Sequence, residues 1–215
     1  MKYFYLLLFT TCCAVAAHAQ KTLEGVRAFL TLPGFVEPDG GLAMGLEYRF
    51  SKHISVAVEG TWIFLDNNIN PDKPRRDNHG FRITPEVKFF IPGKRERYKW
   101  FFAVQTLYKE VNAYRDYIVP VYENDEQVYE QLIAYEWRKH AVAFGGRMGV
   151  QTNFGGKKER LFFEASLGMG VKYKWGEFLQ QPPKDSRREG GRRIFGTDEG
   201  WYPDVPFKVR LGYRF

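Results

Sequence analysis

From residue 21 onward, apolar and polar residues alternate with a period of two, segment after segment, and this commits the chain to extended strands rather than helices. In "LAMGLEYRF", Leu42, Met44, Leu46, Tyr48 and Phe50 fall on one side, and Ala43, Gly45, Glu47 and Arg49 on the other. "ISVAVEGTWIF" repeats the pattern, with Ile54, Val56, Val58, Gly60, Trp62 and Phe64 opposite Ser55, Ala57, Glu59 and Thr61. "FRITPEVKFF", "LFFEASLGMGVKYKW" and "PFKVRLGYRF" do the same. A weaker first segment, "KTLEGVRAFLTL", and two more, one starting at Trp100 and one running through "AYEWRKHAVAFGGRMGVQ", bring the count to eight. Pro85 interrupts the fourth segment; because proline donates nothing to a ladder, a local bulge is expected there.

Connections alternate between short and long. Ser51-Lys52, "GKRERYK" (93–99) and "GGKKER" (155–160) are compact and charged, whereas residues 66–80 and 176–200 are long and rich in turn formers. Between segments five and six lies an acidic stretch, with Asp116, Glu123, Asp125, Glu126, Glu130 and Glu136 against Arg115. It still carries Tyr117, Val119, Val121, Val128 and Tyr129, so a two-stranded protrusion is expected. The chain is 17% aromatic with a mean hydropathy of −0.43, and after its first 19 residues no apolar run approaches the roughly 20 residues a membrane helix needs. A membrane location therefore requires a closed barrel, which leaves no backbone group unpaired in lipid.

The polar face decides between two solvents. A soluble barrel is free to carry long charged side chains all over its outside, whereas a narrow eight-stranded lumen must be filled by small residues and by charges that pair. Here Gly45, Ala57, Ala143, Gly145, Gly149, Ser166, Gly168 and Gly170 share that face with Glu47, Arg49, Glu59, Arg82, Glu86, Lys88, Arg147, Glu164, Lys172, Lys208 and Arg210. These charges are expected to form a lumen network. Trp62, Trp137, Trp175, Trp201 and Tyr202 gather at the loop end, and Phe89, Trp100, Phe101, Tyr213 and Phe215 at the turn end, like two interfacial girdles. The expected fold is all-β: an eight-stranded antiparallel up-and-down transmembrane barrel with long extracellular loops and short periplasmic turns. A soluble periplasmic ligand-binding barrel, apolar inside, is the architectural alternative.

Lys2, the apolar "YFYLLLFTTCCAVA" and Ala17-His18-Ala19 match a secretory signal peptide over residues 1–19, with one barrel domain over 20–215. Both cysteines, Cys12 and Cys13, fall in that leader, so no disulfide or thiolate metal site is expected. The formal charge of +7 gathers in turns rather than in a stripe, and export argues against nucleic acid. No cofactor or metal spacing is present, since His79 and His140 are isolated.

The last strand resembles the terminal strand of bacterial outer-membrane barrels, in which a final aromatic and another two residues earlier are recognised by the barrel-insertion machinery; Tyr213 and Phe215 hold those places. "RITPEVKFF" resembles a strand of small barrels of the OmpA/OmpX type. The resemblance implies integral outer-membrane residence with both termini periplasmic. Lipid and lipopolysaccharide are then partners, together with the insertion machinery and an unidentified surface contact. The expected function is non-enzymatic, structural or surface-interacting. Arg187, Arg188, Arg192 and Arg193 of "KDSRREGGRR" are candidate contacts for lipopolysaccharide phosphates or an acidic partner. A lipid-modifying enzyme is the functional alternative; it would need a His, a Ser or Asp and an acid converging at one interface. His53, Ser55 and Glu59 share a face, but residues two apart lie about 6.6 to 6.8 Å apart along a strand, beyond hydrogen-bond reach.

Overall fold

The computed structural model describes residues 25–32, 39–66, 78–91, 98–123, 126–154, 160–188 and 199–215. Its strands are β1 (Val26–Thr31), β2 (Asp39–Arg49), β3 (Ile54–Asp66), β4 (His79–Phe90), β5 (Tyr98–Glu123), β6 (Glu126–Phe154), β7 (Leu161–Phe178), β8 (Arg187–Arg188), β9 (Gly200–Asp204) and β10 (Phe207–Arg214). Each pairs antiparallel with its neighbours, and β10 closes the sheet on β1 from Arg27↔Arg214 to Thr31↔Arg210. β9 and β10 run against β7 in one continuous register, joined through the bond from Gly168 N to Pro206 O, so together they make the eighth stave of a closed barrel. Closure leaves that barrel without the unpaired edge an open sheet would have.

The first and last strands begin and end at the same rim, where Phe215 N donates to Val26 O. We call this the turn end. Between β2 and β3 the link there is tight: Phe50 N and Ser51 N both reach Ile54 O, and the Ser51 hydroxyl accepts from the amides of His53 and Ile54. At the opposite rim, the loop end, β5 and β6 continue past their neighbours and stay paired as far as Glu123↔Glu126, forming a protruding hairpin. β8 joins its outer edge at Tyr117↔Arg188 and Ile118↔Arg187, beyond the point where β4 has ended.

Pro85 needs no bulge. Register runs unshifted along both sides of β4; Pro85 keeps its place opposite Val58, and the ladder merely skips Thr84 and Pro85 on the β5 side. The absent N–H therefore costs a rung of pairing without displacing any side chain to the wrong face.

The alternation resolves into an apolar outside and a charged inside. Met44 (52% exposed), Trp62 (73%), Met169 (77%) and Trp201 (71%) point outward, while Glu47, Lys88, Arg147, Glu164 and Arg210 are fully buried. The core of this protein is polar. Three of the expected girdle residues belong elsewhere: Phe101 is buried in the lumen against Phe90, Trp137 packs edge-on to Phe178, and Tyr202 lies under the Lys174 ammonium.

Candidate functional site

Inside the barrel, four buried glutamates meet four buried bases. Arg210, from β10, reaches across to three of them: Glu59 on β3 at 2.8 Å, Glu164 on β7 at 3.2 Å, and Glu86 on β4. Lys88 donates to Glu47 at 2.6 Å and to Glu164 at 2.5 Å. Arg147 binds Glu86 at 2.6 Å and the Ser166 hydroxyl, and Lys208 holds Glu59 at 3.0 Å. Every acid has at least two cationic neighbours, which is what burial of charge demands.

Two further buried bases complete the column. Arg27 donates to Gln151 at 2.8 Å and lies 3.9 Å from Glu47, toward the turn end; Arg82 donates to Thr61 at 3.1 Å, toward the loop end. Among the described residues, six buried bases thus face four buried acids. Arg27 and Arg82 sit at the two ends of the column.

Long side chains fit in so narrow a tube because small ones stand beside them. Arg147 is flanked in register by Ala103 and Gly168, Glu59 by Gly45, and Glu86 by Ala57. A Cβ on Gly168 would come within 2.6 Å of the Arg147 side chain. The same device seats inward phenylalanines: Phe29 lies between Gly45 and Gly212, and Phe101 opposite Gly149. These rings receive the cations, with the Arg210 guanidinium 4.2 Å from the Phe29 centroid and the Lys88 ammonium 5.2 Å from that of Phe101.

Two residues expected in the network lie outside it. Arg49 is half-buried at the turn end, donates to the carbonyls of Ser51 and Lys52 at 3.2 Å each, and covers the Phe90 ring. Its position at the end of β2 gives it backbone carbonyls as hydrogen-bond partners in place of the glutamates. Lys172 is half-buried at the loop end and pairs with Asp204. Conversely, Arg27, Phe29 and Gln151 belong to the interior, and the alternation of the first segment already implied as much for Arg27 and Phe29.

A second ionic group occupies the loop-end rim. Asp39 accepts from Lys109 at 2.8 Å, from Lys139 at 2.9 Å and from Asn78 at 3.3 Å. It lies three residues to the loop side of Leu42, which pairs with the girdle residue Trp62. Burial would raise its carboxyl pKa, but the two ammoniums outweigh this and hold it well below the usual carboxylate range.

On the outside, Tyr108 and His140 mark where the apolar band ends. The Tyr108 hydroxyl meets Glu110 at 3.0 Å and His140 Nδ1 at 3.2 Å, and His140 stacks on Trp175 with centroids 5.2 Å apart. This brings a His and an acid together with a phenol, in place of the Ser or Asp that a lipid-modifying site requires. His53 is exposed at its turn while Ser55 and Glu59 are buried, so those three do not assemble. Arg187 and Arg188 form β8 through their backbones, and Arg192 and Arg193 lie outside the described residues. Among the described residues no group of three or more His, Cys, Asp or Glu is arranged to hold a metal.

No family model matches the chain. No curated protein matches it either. Among solved structures, the N-terminal β-barrel domain of Pseudomonas aeruginosa OprF is similar over 88% of this chain and 95% of that one, at 10% identity and a TM-score of 0.40.

Proposed function

We propose that this chain is an integral barrel of the bacterial outer membrane with a non-enzymatic, structural or surface-contact role in the envelope. The observation that carries the reading is the inversion of polarity: large apolar side chains cover the outside while paired charge fills the inside. Water is a poor solvent for such a surface, and exposed apolar patches beyond a few hundred Å² mark a site of contact with lipid or protein. A soluble ligand-binding barrel would need the opposite arrangement. The plugged interior argues against an open solute channel.

In this orientation the turn end faces the periplasm together with Val26 and Phe215, and the hairpin of β5 and β6 stands outside the cell. Surface contact then falls to that hairpin, whose Tyr122, Val128, Tyr129 and Leu132 are exposed, and to the arginine-bearing segment that begins with β8, for which lipopolysaccharide phosphates are a suitable partner. Outer-membrane fractionation with heat-modifiable gel migration tests the reading. Detergent-requiring extraction and a migration shift on boiling are expected; a polypeptide that stays in solution without detergent would overturn it.

A further inference from the structure

At the turn-end foot of the charge column, three buried side chains meet, each with one polar atom left over. Arg27 of β1 stands opposite Glu47 of β2 in register, and Gln151 reaches Arg27 across the bore from β6. Their exposures are 3%, 0% and 1% for Arg27, Glu47 and Gln151. Arg27 Nη1 donates to Gln151 Oε1 at 2.8 Å, and Lys88 occupies Glu47 Oε2 at 2.6 Å. Arg27 Nε, Gln151 Nε2 and Glu47 Oε1 have no hydrogen-bond partner within the protein. The orientation of the Gln151 carboxamide is set by Arg27: a guanidinium only donates, so the amide oxygen turns to it and the NH2 group is the one left over.

The three leftover atoms are complementary: two donors and one carboxylate oxygen. Arg27 Nη1 and Glu47 Oε1 nevertheless lie 3.9 Å apart, too far for a direct hydrogen bond. A polar separation wider than a hydrogen bond, between groups that are both buried, is the setting in which a water bridges. Without a bridge each of the three atoms bears its desolvation penalty with nothing in return.

We propose that one water molecule is bound here as a fixed part of the lumen plug, accepting from Arg27 and Gln151 and donating to Glu47 Oε1. The chemistry of the three atoms selects it. An anion is repelled by the free Glu47 oxygen, and a cation by the Arg27 guanidinium. A neutral molecule that both accepts and donates satisfies all three atoms, and water does so at a size that fits a bore otherwise filled by side chains. So held, it ties β1, the strand of the closing seam, to β2 beside it and to β6 on the far side of the lumen. The inference rests on the barrel and its register, and holds wherever the barrel resides.

Two measurements on the full barrel in detergent test it. In crystals grown with bromide as the only halide, an oxygen-sized density peak within hydrogen-bond distance of Arg27, Gln151 Nε2 and Glu47 Oε1, free of anomalous signal, is expected. A direct Arg27–Glu47 hydrogen bond with nothing between them, or bromide at the site, overturns the proposal. In solution, rotating-frame Overhauser transfer from water to the isotope-labelled barrel is expected at Arg27 Nε–H and at the Gln151 amide, with the sign of a long-lived bound molecule; its absence from both also overturns the proposal. Gln151→Met keeps the length of the side chain but removes the donor, and is expected to weaken the Arg27 signal severalfold. Gln127→Met, on the exposed hairpin, leaves it unchanged. Heat-modifiable migration confirms that each variant is folded, and a full-strength Arg27 signal in folded Gln151→Met refutes the three-way bridge. Should Gln151→Met fail to fold, the crystal and the wild-type signal decide the matter without it.

Discussion

Arg210 illustrates how much one side chain can hold. Its guanidinium is fully buried, spans the lumen and engages three glutamates drawn from three other strands. Truncating it strands their negative charge in a medium that cannot solvate it, and breaking a buried pair by removing one partner costs about 3 to 5 kcal/mol. Arg210→Met is therefore expected to lower the denaturant midpoint of the folded barrel far more than Arg49→Gln. The latter loses two hydrogen bonds to turn carbonyls and costs about 1 kcal/mol or less for each. Urea unfolding of the two variants side by side measures the difference; equal midpoints would show that the network is slack rather than mutually satisfied. Adding Glu59→Gln to Arg210→Met is expected to recover part of the loss, since it removes one of the stranded charges.

Among the elements, the pairing of glycine with inward phenylalanine sets how closely strands can carry bulk into the bore. A Cβ on Gly45 would lie 2.4 Å from the Phe29 ring and 2.5 Å from the Val58 carbonyl. Gly45→Val is expected to cost at least the 1 to 3 kcal/mol or so typical of overpacking, read as a smaller heat-modifiable fraction after refolding. Phe29→Ala in the same chain relieves the side-chain clash but not the one with the Val58 backbone, so rescue is expected to be partial. The hairpin behaves differently. Past Asn112 on β5 and Trp137 on β6 it leaves the barrel wall; there it pairs with itself and with β8, and meets the end of β7 at Phe178 and at Leu179, whose N–H donates to Glu136 O. Replacing residues 115–134 with a short turn is expected to preserve the migration shift, because closure and the charge network lie below the cut. Loss of the shift would mean that the protrusion is needed for folding.

For the whole molecule, closure depends on β10 meeting β1 and β7 at once. Tyr213 packs edge-on to Phe215 at 5.4 Å and accepts a hydrogen bond from Arg160 at 2.8 Å, so the last aromatics are fixed at the turn-end rim beside the closing seam. We propose that these two rings are what the insertion machinery reads, and Phe215→Ala is expected to reduce the membrane-inserted fraction in cells while leaving refolding into micelles nearly intact. That contrast separates recognition from stability; equal loss in both assays would assign Phe215 a structural role alone. Outward-facing apolar residues between the rims form the band that meets lipid under the proposed membrane location. An arginine at Val58, near its middle, is expected to cost about 2 to 4 kcal/mol if hydrocarbon is the surrounding solvent.

Period-two patterning made the strands, their number and their two faces legible, because side chains alternate wherever the backbone is extended. It assigned Glu59, Lys88 and Arg210 to one surface and Val58 and Leu211 to the other without any knowledge of neighbours. It was ambiguous where two aromatics adjoin, so Phe101 was expected outside and lies inside, and it was silent on height along the bore, which is why Arg49 and Lys172 were grouped with a network they do not reach. Which charge meets which was decided by tertiary structure alone. Lys88 and Glu47 are 41 residues apart, and Arg210 and Glu59 are 151 apart, and they meet only because closure and strand register bring distant staves to the same level of the bore. A local pattern fixes the direction in which a side chain points; the identity of the group waiting there is a property of the closed barrel.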